Sequence, residues 1–305
     1  MNQEKQKNYC NNETVVGIHT GSGVTEETID LNRAEKNRNV SYAAIRKVRN
    51  QDKYEWFIKL NPNQNKSGYI LEHYSEFKKV VQEVWRDLEV ESFQWKRIDL
   101  SFNTRNNSYY KEYKKLNRLL IACFANMTSA KNVYDAKDFW TCKTKSLVAK
   151  SEGLEIEFYD KEKESGGKSP YYSRLEFRSV RMRKGIEHEF LELWIKRLDA
   201  MILEFENVQT RYNDNLARIY LEDFRKEKQD RKFNSVTSFL TVYRECIFTR
   251  NQLKELLMLI GMEEKQAVRK VYNFSKDHSI EFFAKKDLEY IVKDIQVKIR
   301  EYFSK

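Results

Sequence analysis

Three short stretches of the chain place acids, arginines and one tyrosine at every second position. In "RIDLSFN", Arg97, Asp99, Ser101 and Asn103 alternate with Ile98, Leu100 and Phe102. In "LEIEFYDKE", Glu155, Glu157, Tyr159 and Lys161 alternate with Leu154, Ile156 and Phe158; in "SRLEFRS", Arg174, Glu176 and Arg178 flank Leu175 and Phe177. A period of two is that of a strand with one apolar and one polar face. If the three strands are neighbours, Asp99, Glu157, Tyr159 and Glu176 meet on one open surface. Such a surface offers hard oxygen ligands for Mg²⁺ or Mn²⁺ beside a phenol. Clustered carboxylates repel one another, and either a divalent ion or the nearby arginines would relieve them. Taken alone, the second stretch is equally a half-buried surface strand, polar on its wet side by default.

Histidine does not compete for this role on spacing. His19, His73, His188 and His278 are scattered and form no HxH or HExxH pair, so a metal site would rest on carboxylates. The phenol, with an ordinary pKa of about 10, needs a cation or base nearby to become a nucleophile. Lys161, two residues on and on the same strand face, is a candidate for that charge. No GxxxxGK[ST] loop occurs, and "GSGVTE" at 21–26 lacks the lysine of a phosphate cradle.

The elements that must position these residues are legible from period and punctuation. "DKYEWFIKLNP" alternates as a strand; "YSEFKKVVQEVWRDL" carries an apolar stripe at helical spacing after Ser75; "SYYKEYKKLNRLLIACFANM" is a second amphipathic helix. "FWTCKTKSLVAKS", "LEIEFYDKE" and "YSRLEFRSVRM" read as three consecutive strands, and "SGGKSP" at 165–170 reads as the hairpin connection between the last two. This order predicts an α+β fold with an antiparallel or mixed sheet and helices on one face. Three regions are expected: a flexible arm over 1–40 with at most one strand at "TVVGIHT" and no chemistry assigned to it, a sheet domain over 41–185, and a helical region over 186–305. Within the last, two helices meeting near Gly261 and a short "IEFF" strand are compatible with a winged helix exposing Lys265, Arg269 and Lys270, and equally with a plain helical tail.

The 305 residues carry 56 Lys+Arg against 46 Asp+Glu, a net charge of +10, and the surplus lies before residue 186. Such a balance favours a polyanionic partner, nucleic acid before membrane. Basic and aromatic residues interleave in "NSYYKEYKKLNR", where Lys111, Lys114 and Lys115 either follow a DNA backbone or form a solvated helix face. No apolar run long enough for a membrane span and no signal-peptide core are present, so a cytoplasmic protein is expected. The four cysteines form no CxxC pair, and reduced thiols are expected.

In order, "FIKLNPN" (57–63), "WKRIDLSFN" (95–103), "LEIEFYDKEKE" (154–164) and "YYSRLEFR" (171–178) resemble the motifs of the rolling-circle replication initiation factors of small Gram-positive plasmids, to which relaxases of integrative elements are related. Each motif is short, and the specificity lies in the ordered set, which covers about residues 50–185. The resemblance implies a nicking-joining endonuclease fold in which carboxylates replace a histidine pair. It implies that Tyr159 attacks DNA and that Asp99 and Glu176 belong to a metal site; from the residues themselves, Glu157 joins them as a candidate ligand for Mg²⁺ or Mn²⁺, and Tyr171 and Tyr172, beside the hairpin, are the rivals to Tyr159. Lys161 and Arg174 match motif positions near the nucleophile, and Arg97 and Arg178 are candidate DNA contacts. Asn103 stands where many relatives have a second Asp. The expected partners are origin DNA, single- and double-stranded, a host helicase and a second copy of the chain. A conjugative relaxase would use the same chemistry, and a non-catalytic winged-helix regulator is the alternative from another class.

Overall fold

The computed structural model describes residues 14–49, 51–64, 69–127, 147–151, 153–278, 280 and 282–305, without the side chains of 107–113, 147 and 151. Its strands are β1 (Thr14–Thr25), β2 (Val40–Lys47), β3 (Tyr54–Leu60), β4 (Gln94–Thr104), β5 (Leu147–Ser151), β6 (Leu154–Asp160) and β7 (Ser173–Ser179). They form one seven-stranded antiparallel sheet in the order β2-β3-β1-β4-β7-β6-β5. The α+β class expected from the sequence is therefore observed.

Helices α1 (Leu31–Lys36), α2 (Tyr74–Leu88), α3 (Asn107–Met127) and a single turn α4 (Lys161–Glu164) lie between strands. After β7 come α5 (Ile186–His188), a π-helical stretch Glu189–Trp194, α6 (Ile195–Leu203), α7 (Phe205–Phe224), α8 (Val236–Tyr243), α9 (Arg250–Leu259), α10 (Glu264–His278) and α11 (Lys285–Ser304). The apolar stripe of α2, Phe77, Val81, Val84 and Leu88, is buried. The helix ends where Glu89 turns left-handed and Val90 N–H bonds back to the Trp85 carbonyl at 2.8 Å.

Helices cover one face of the sheet. α3 packs beneath β4 to β7, and α11 packs on α2, α3, α6 and β1. The buried side chains of that face, among them Ile98, Leu100, Phe102, Ile156, Phe158, Leu175 and Phe177, belong to the same apolar cluster as Trp194, Leu198, Leu253, Ile295 and Tyr302. Regions 41–185 and 186–305 thus share one core. The Tyr302 hydroxyl seals the junction by accepting the Ile18 N–H at 3.3 Å. The strand expected at "IEFF" is not formed among the described residues; Phe283 N–H donates instead to the Phe248 carbonyl at 2.7 Å.

β1 departs most from the sequence expectation. Instead of a short strand in a flexible arm it is a twelve-residue strand held between β3 and β4. Its glycines mute the apolar signal, and one of them is required by packing: a Cβ on Gly17 would stand 2.2 Å from the Leu71 carbonyl oxygen. The segment leading to α2 crosses the sheet at this point, and Ile70, Val15 and Tyr171 form a small apolar patch on the face opposite the helices.

Among the described residues no helix is long and apolar enough to cross a membrane. Cys123 is free and buried, whereas Cys246 is disulfide-bonded, in contrast to the reduced thiol expected. Gly17→Ala should destabilise the protein by about 1–3 kcal/mol through this overpacking, read as a lower urea midpoint with an unchanged slope.

Candidate functional site

The registers put the three alternating stretches on one face, opposite the helices. Asp99 faces Arg178, which faces Glu155; Ser101 faces Glu176, which faces Glu157; Asn103 faces Arg174, which faces Tyr159. Directly opposed residues in an antiparallel pair share a face with Cβ atoms about 5 Å apart. The adjacency on which the candidate site depends is present, built as three rows across β4, β7 and β6.

At its centre Glu176 is almost fully buried and each oxygen is engaged. Its Oε1 accepts the Tyr159 hydroxyl at 3.0 Å and lies 3.4 Å from both the His19 Nδ1 and the Arg174 guanidinium. Its Oε2 accepts from Arg178, with Nε at 2.9 Å. Arg178 also pairs with Glu157 and lies 3.7 Å from Glu155 and 4.0 Å from Asp99. Asp99 is gripped by Arg97 through two hydrogen bonds of 2.8 and 2.9 Å and accepts the Thr20 hydroxyl at 2.8 Å. Lys150 pairs with Glu155 at 2.7 Å. Four carboxylates, Asp99, Glu155, Glu157 and Glu176, therefore meet four cations, Arg97, Lys150, Arg174 and Arg178, so the sequence-level question of what relieves the acids is answered here by arginines and a lysine.

These contacts set the protonation of the site. Burial alone would raise the Glu176 carboxyl, but the His19 hydrogen bond and the charges of Arg178 and Arg174 outweigh it and hold the group well below the usual carboxylate range. Burial, reinforced by the Glu176 charge against an opposing pull from Arg174, pushes the Tyr159 phenol well above its ordinary value. Burial also lowers His19, despite the Glu176 carboxylate, and favours the neutral imidazole. The resting arrangement is a protonated phenol donating to an ionised carboxylate.

His19 is the residue that sequence spacing missed. It sits where the β1–β4 register slips between Ile18 and Thr20, a bulge that re-aims side chains. Asn63 fixes the bulge: its amide donates to the Ile18 and His19 carbonyls at 2.9 and 3.1 Å and accepts Leu71 N–H at 2.8 Å. The signal in the sequence was the "NPN" segment, whose last residue reaches back to β1. Glu155, on the same face by alternation, completes the set of acids around Arg178.

Other expected residues fall differently. β6 ends at Asp160, which caps α4 by accepting Lys163 N–H at 2.9 Å, so Lys161 leaves the strand face. Lys161 pairs with Glu164 at 2.5 Å, and its ammonium stands 5.8 Å from the centre of the Tyr159 ring. Asn103 uses both ends of its amide, accepting Arg174 Nε at 2.5 Å and donating to Ser101 and to the Val15 carbonyl, which is a reason for an amide where an acid was expected. Tyr171 is buried with its hydroxyl accepting Ile70 N–H at 3.1 Å, and the Tyr172 backbone carbonyl accepts the first N–H groups of α4.

Lys114 and Lys115 lie on α3 beneath the sheet, on the side away from Tyr159, and Lys115 is buried with its ammonium 5.8 Å from the Phe282 ring. The solvated lysine face expected there is not formed at Lys115, because that turn packs against the C-terminal region. The side chains of Lys111, Tyr109, Tyr110 and Tyr113 lie outside the described residues. Lys265 and Arg269 are exposed on α10, while Lys270 bonds Thr237 at 2.5 Å.

For a divalent cation, the donor chemistry is suitable: the carboxylates of Asp99, Glu157 and Glu176 with a neutral imidazole beside them match an oxygen-preferring ion. The arrangement suits one only once the Arg178 guanidinium, which stands among those carboxylates, is displaced; among the described residues no group of three or more His, Cys, Asp or Glu side chains is gathered to hold a metal. Compared with protein-family models, curated proteins and solved structures, the chain matches none.

Two outcomes follow. Arg178→Ala leaves several buried acids uncompensated and should cost about 3–5 kcal/mol, whereas Arg97→Ala, whose guanidinium is partly exposed and whose Asp99 keeps the Thr20 hydroxyl, should cost less; urea unfolding distinguishes them. Because the folded-state value of Glu176 lies below its ordinary 4.5, its contribution is fully present above that pH and is lost as pH falls below it. Glu176→Gln should therefore be less stable near neutrality and show a flatter stability–pH curve below about pH 4.5.

Proposed function

We propose that this protein nicks and rejoins DNA through a covalent tyrosyl phosphodiester and so starts rolling-circle replication of a plasmid or integrated element. The observation that carries the reading is the Tyr159 phenol bonded to Glu176 between two arginines on one sheet face. A nucleophile, a proton acceptor and phosphate-binding cations are the parts that transesterification at phosphorus requires. The ordered motifs that resemble plasmid initiators point to the same residue.

In this reading a backbone phosphate binds at Arg174 and Arg178 and draws their charge away from Glu176. The carboxylate, no longer held so far below its usual range, becomes the better base for the phenol beside it. The Tyr159 oxygen bonds to phosphorus, its proton passes to Glu176 Oε1, and the bond from phosphorus to the 3′ oxygen breaks. The proton on Glu176 then supplies the 3′ hydroxyl. The 5′ phosphate stays on Tyr159, and the stored ester lets the reverse step rejoin the strand without a nucleotide cofactor. A divalent ion held by Asp99, Glu157 and Glu176 would supply further charge to the phosphate oxygens. His19 and Asn103 position Glu176 and Arg174, and the exposed Lys265 and Arg269 of α10 are assigned to origin duplex. A host helicase would extend the opening from the nick.

The test is incubation with Mn²⁺ and supercoiled DNA carrying the cognate origin. Wild type should give nicked circles with protein on the 5′ end. Tyr159→Phe should give no adduct, a loss of at least about 10³-fold, while origin affinity changes by less than about threefold, since one hydroxyl is removed. Persistence of the adduct in Tyr159→Phe would contradict the assignment.

A further inference from the structure

A second feature of the same domain is not used by the reaction above. At the end of the β6–β7 hairpin opposite Tyr159, a cavity of about 790 Å³ opens between the sheet edge and the π-helical stretch and α6. Five cations line it, Arg181, Arg183, Lys184, Lys196 and Arg197, against one carboxylate, Glu189, among the described lining residues. Leu154, Leu193 and Ala200 contribute apolar wall. The backbone is shaped to bring Arg181 here: Gly153 turns with φ of 89°, and a Cβ at that position would stand 3.1 Å from the Arg181 Cβ. A side chain there would be strained twice, by the left-handed backbone and by the contact.

We propose that this cavity binds consecutive phosphates of a nucleic-acid strand, the strand whose scissile link lies at Tyr159. Four of the cations, Arg181, Arg183, Lys184 and Lys196, are exposed around a cavity of about 790 Å³, and a chain of phosphates is the anion that offers a charge to each of them. The cavity opens on the helix-covered side and Tyr159 lies on the opposite face, so a strand joining them passes round the end of the sheet. β6 runs from Leu154 at the cavity to Tyr159, five residues and about 17 Å at the usual strand rise. The apolar wall offers a surface for a base, and the cations take the backbone. The proposal rests on the nicking reading for the identity of its ligand and not for the existence of the site.

The experiment uses the full chain, a fluorescein-labelled single-stranded oligonucleotide, and anisotropy titrations between 50 and 200 mM KCl. The triple variant Arg181→Ala, Arg183→Ala, Lys184→Ala removes up to three phosphate contacts and should lower the slope of log K against log salt by about 2, with affinity at low salt falling at least tenfold. A control triple, Lys285→Ala, Lys286→Ala, Lys293→Ala on α11, should leave the slope unchanged. Adduct formation through Tyr159 at saturating DNA should survive in the cavity variant. An unchanged slope, or an equal loss in the control, overturns the proposal. If wild type forms no adduct but the slope still falls, the cavity stands and the nicking reading fails; if the adduct forms and the slope is unchanged, only the cavity proposal fails. Binding of anionic vesicles in place of the oligonucleotide would also overturn it.

Discussion

One guanidinium holds the polar face of this sheet together. Arg178 lies among Asp99, Glu155, Glu157 and Glu176, three of them buried, and each would repel its neighbours without it. Removing water from a carboxylate costs several kcal/mol, and the pairing recovers that cost only when geometry and further hydrogen bonds are complete. Here they nearly are: Arg97, Lys150, Arg174, Thr20 and His19 engage further oxygens, and Glu155 Oε2 is a buried acid oxygen left without a hydrogen bond. Such a network is a weak source of net stability. What it does supply is a fixed position and a fixed protonation state for the one phenol at its margin.

The rest of the fold serves this face by keeping its reverse side dry. α3 and the C-terminal helices bury the alternate residues of β4, β6 and β7, so the strands cannot slip by one residue without turning arginines into the core. Register is thereby tied to the charges as firmly as to the apolar pattern. Ile70 and Leu71 lie over the polar face at Gly17, and Asn63, which accepts Leu71 N–H, pins the bulge that presents His19. Stability and site geometry are coupled at that point.

Much of this was legible in the sequence, for a definable reason. Strand alternation is a local signal, and Arg97, Asp99, Glu157, Tyr159, Arg174 and Glu176 each declared their face within a few residues. What the sequence did not disclose was non-local or depended on a break in period. His19 sits on a bulge in a glycine-rich strand, where alternation fails and small residues hide the core. Alternation carries Lys161 onto the strand face, but the strand stops one residue earlier, where Asp160 caps the turn that follows. Lys115 has the spacing of a surface residue, and only the packing of the C-terminal region buries it. The chain after Gly185 read correctly as helical, but its periodicity could not say that it completes the core of the sheet.

The central claim is that the Arg174–Glu176–Arg178 face receives a backbone phosphate beside the phenol. A crystal structure of the Tyr159→Phe protein with a short single-stranded oligonucleotide tests it most directly. The account predicts a phosphate hydrogen-bonded to Arg174 or Arg178, with its phosphorus within about 4 Å of where the lost hydroxyl stood, near-attack distance for that oxygen. An oligonucleotide bound on another surface, with the two guanidinium groups still closed on Glu176, would contradict it.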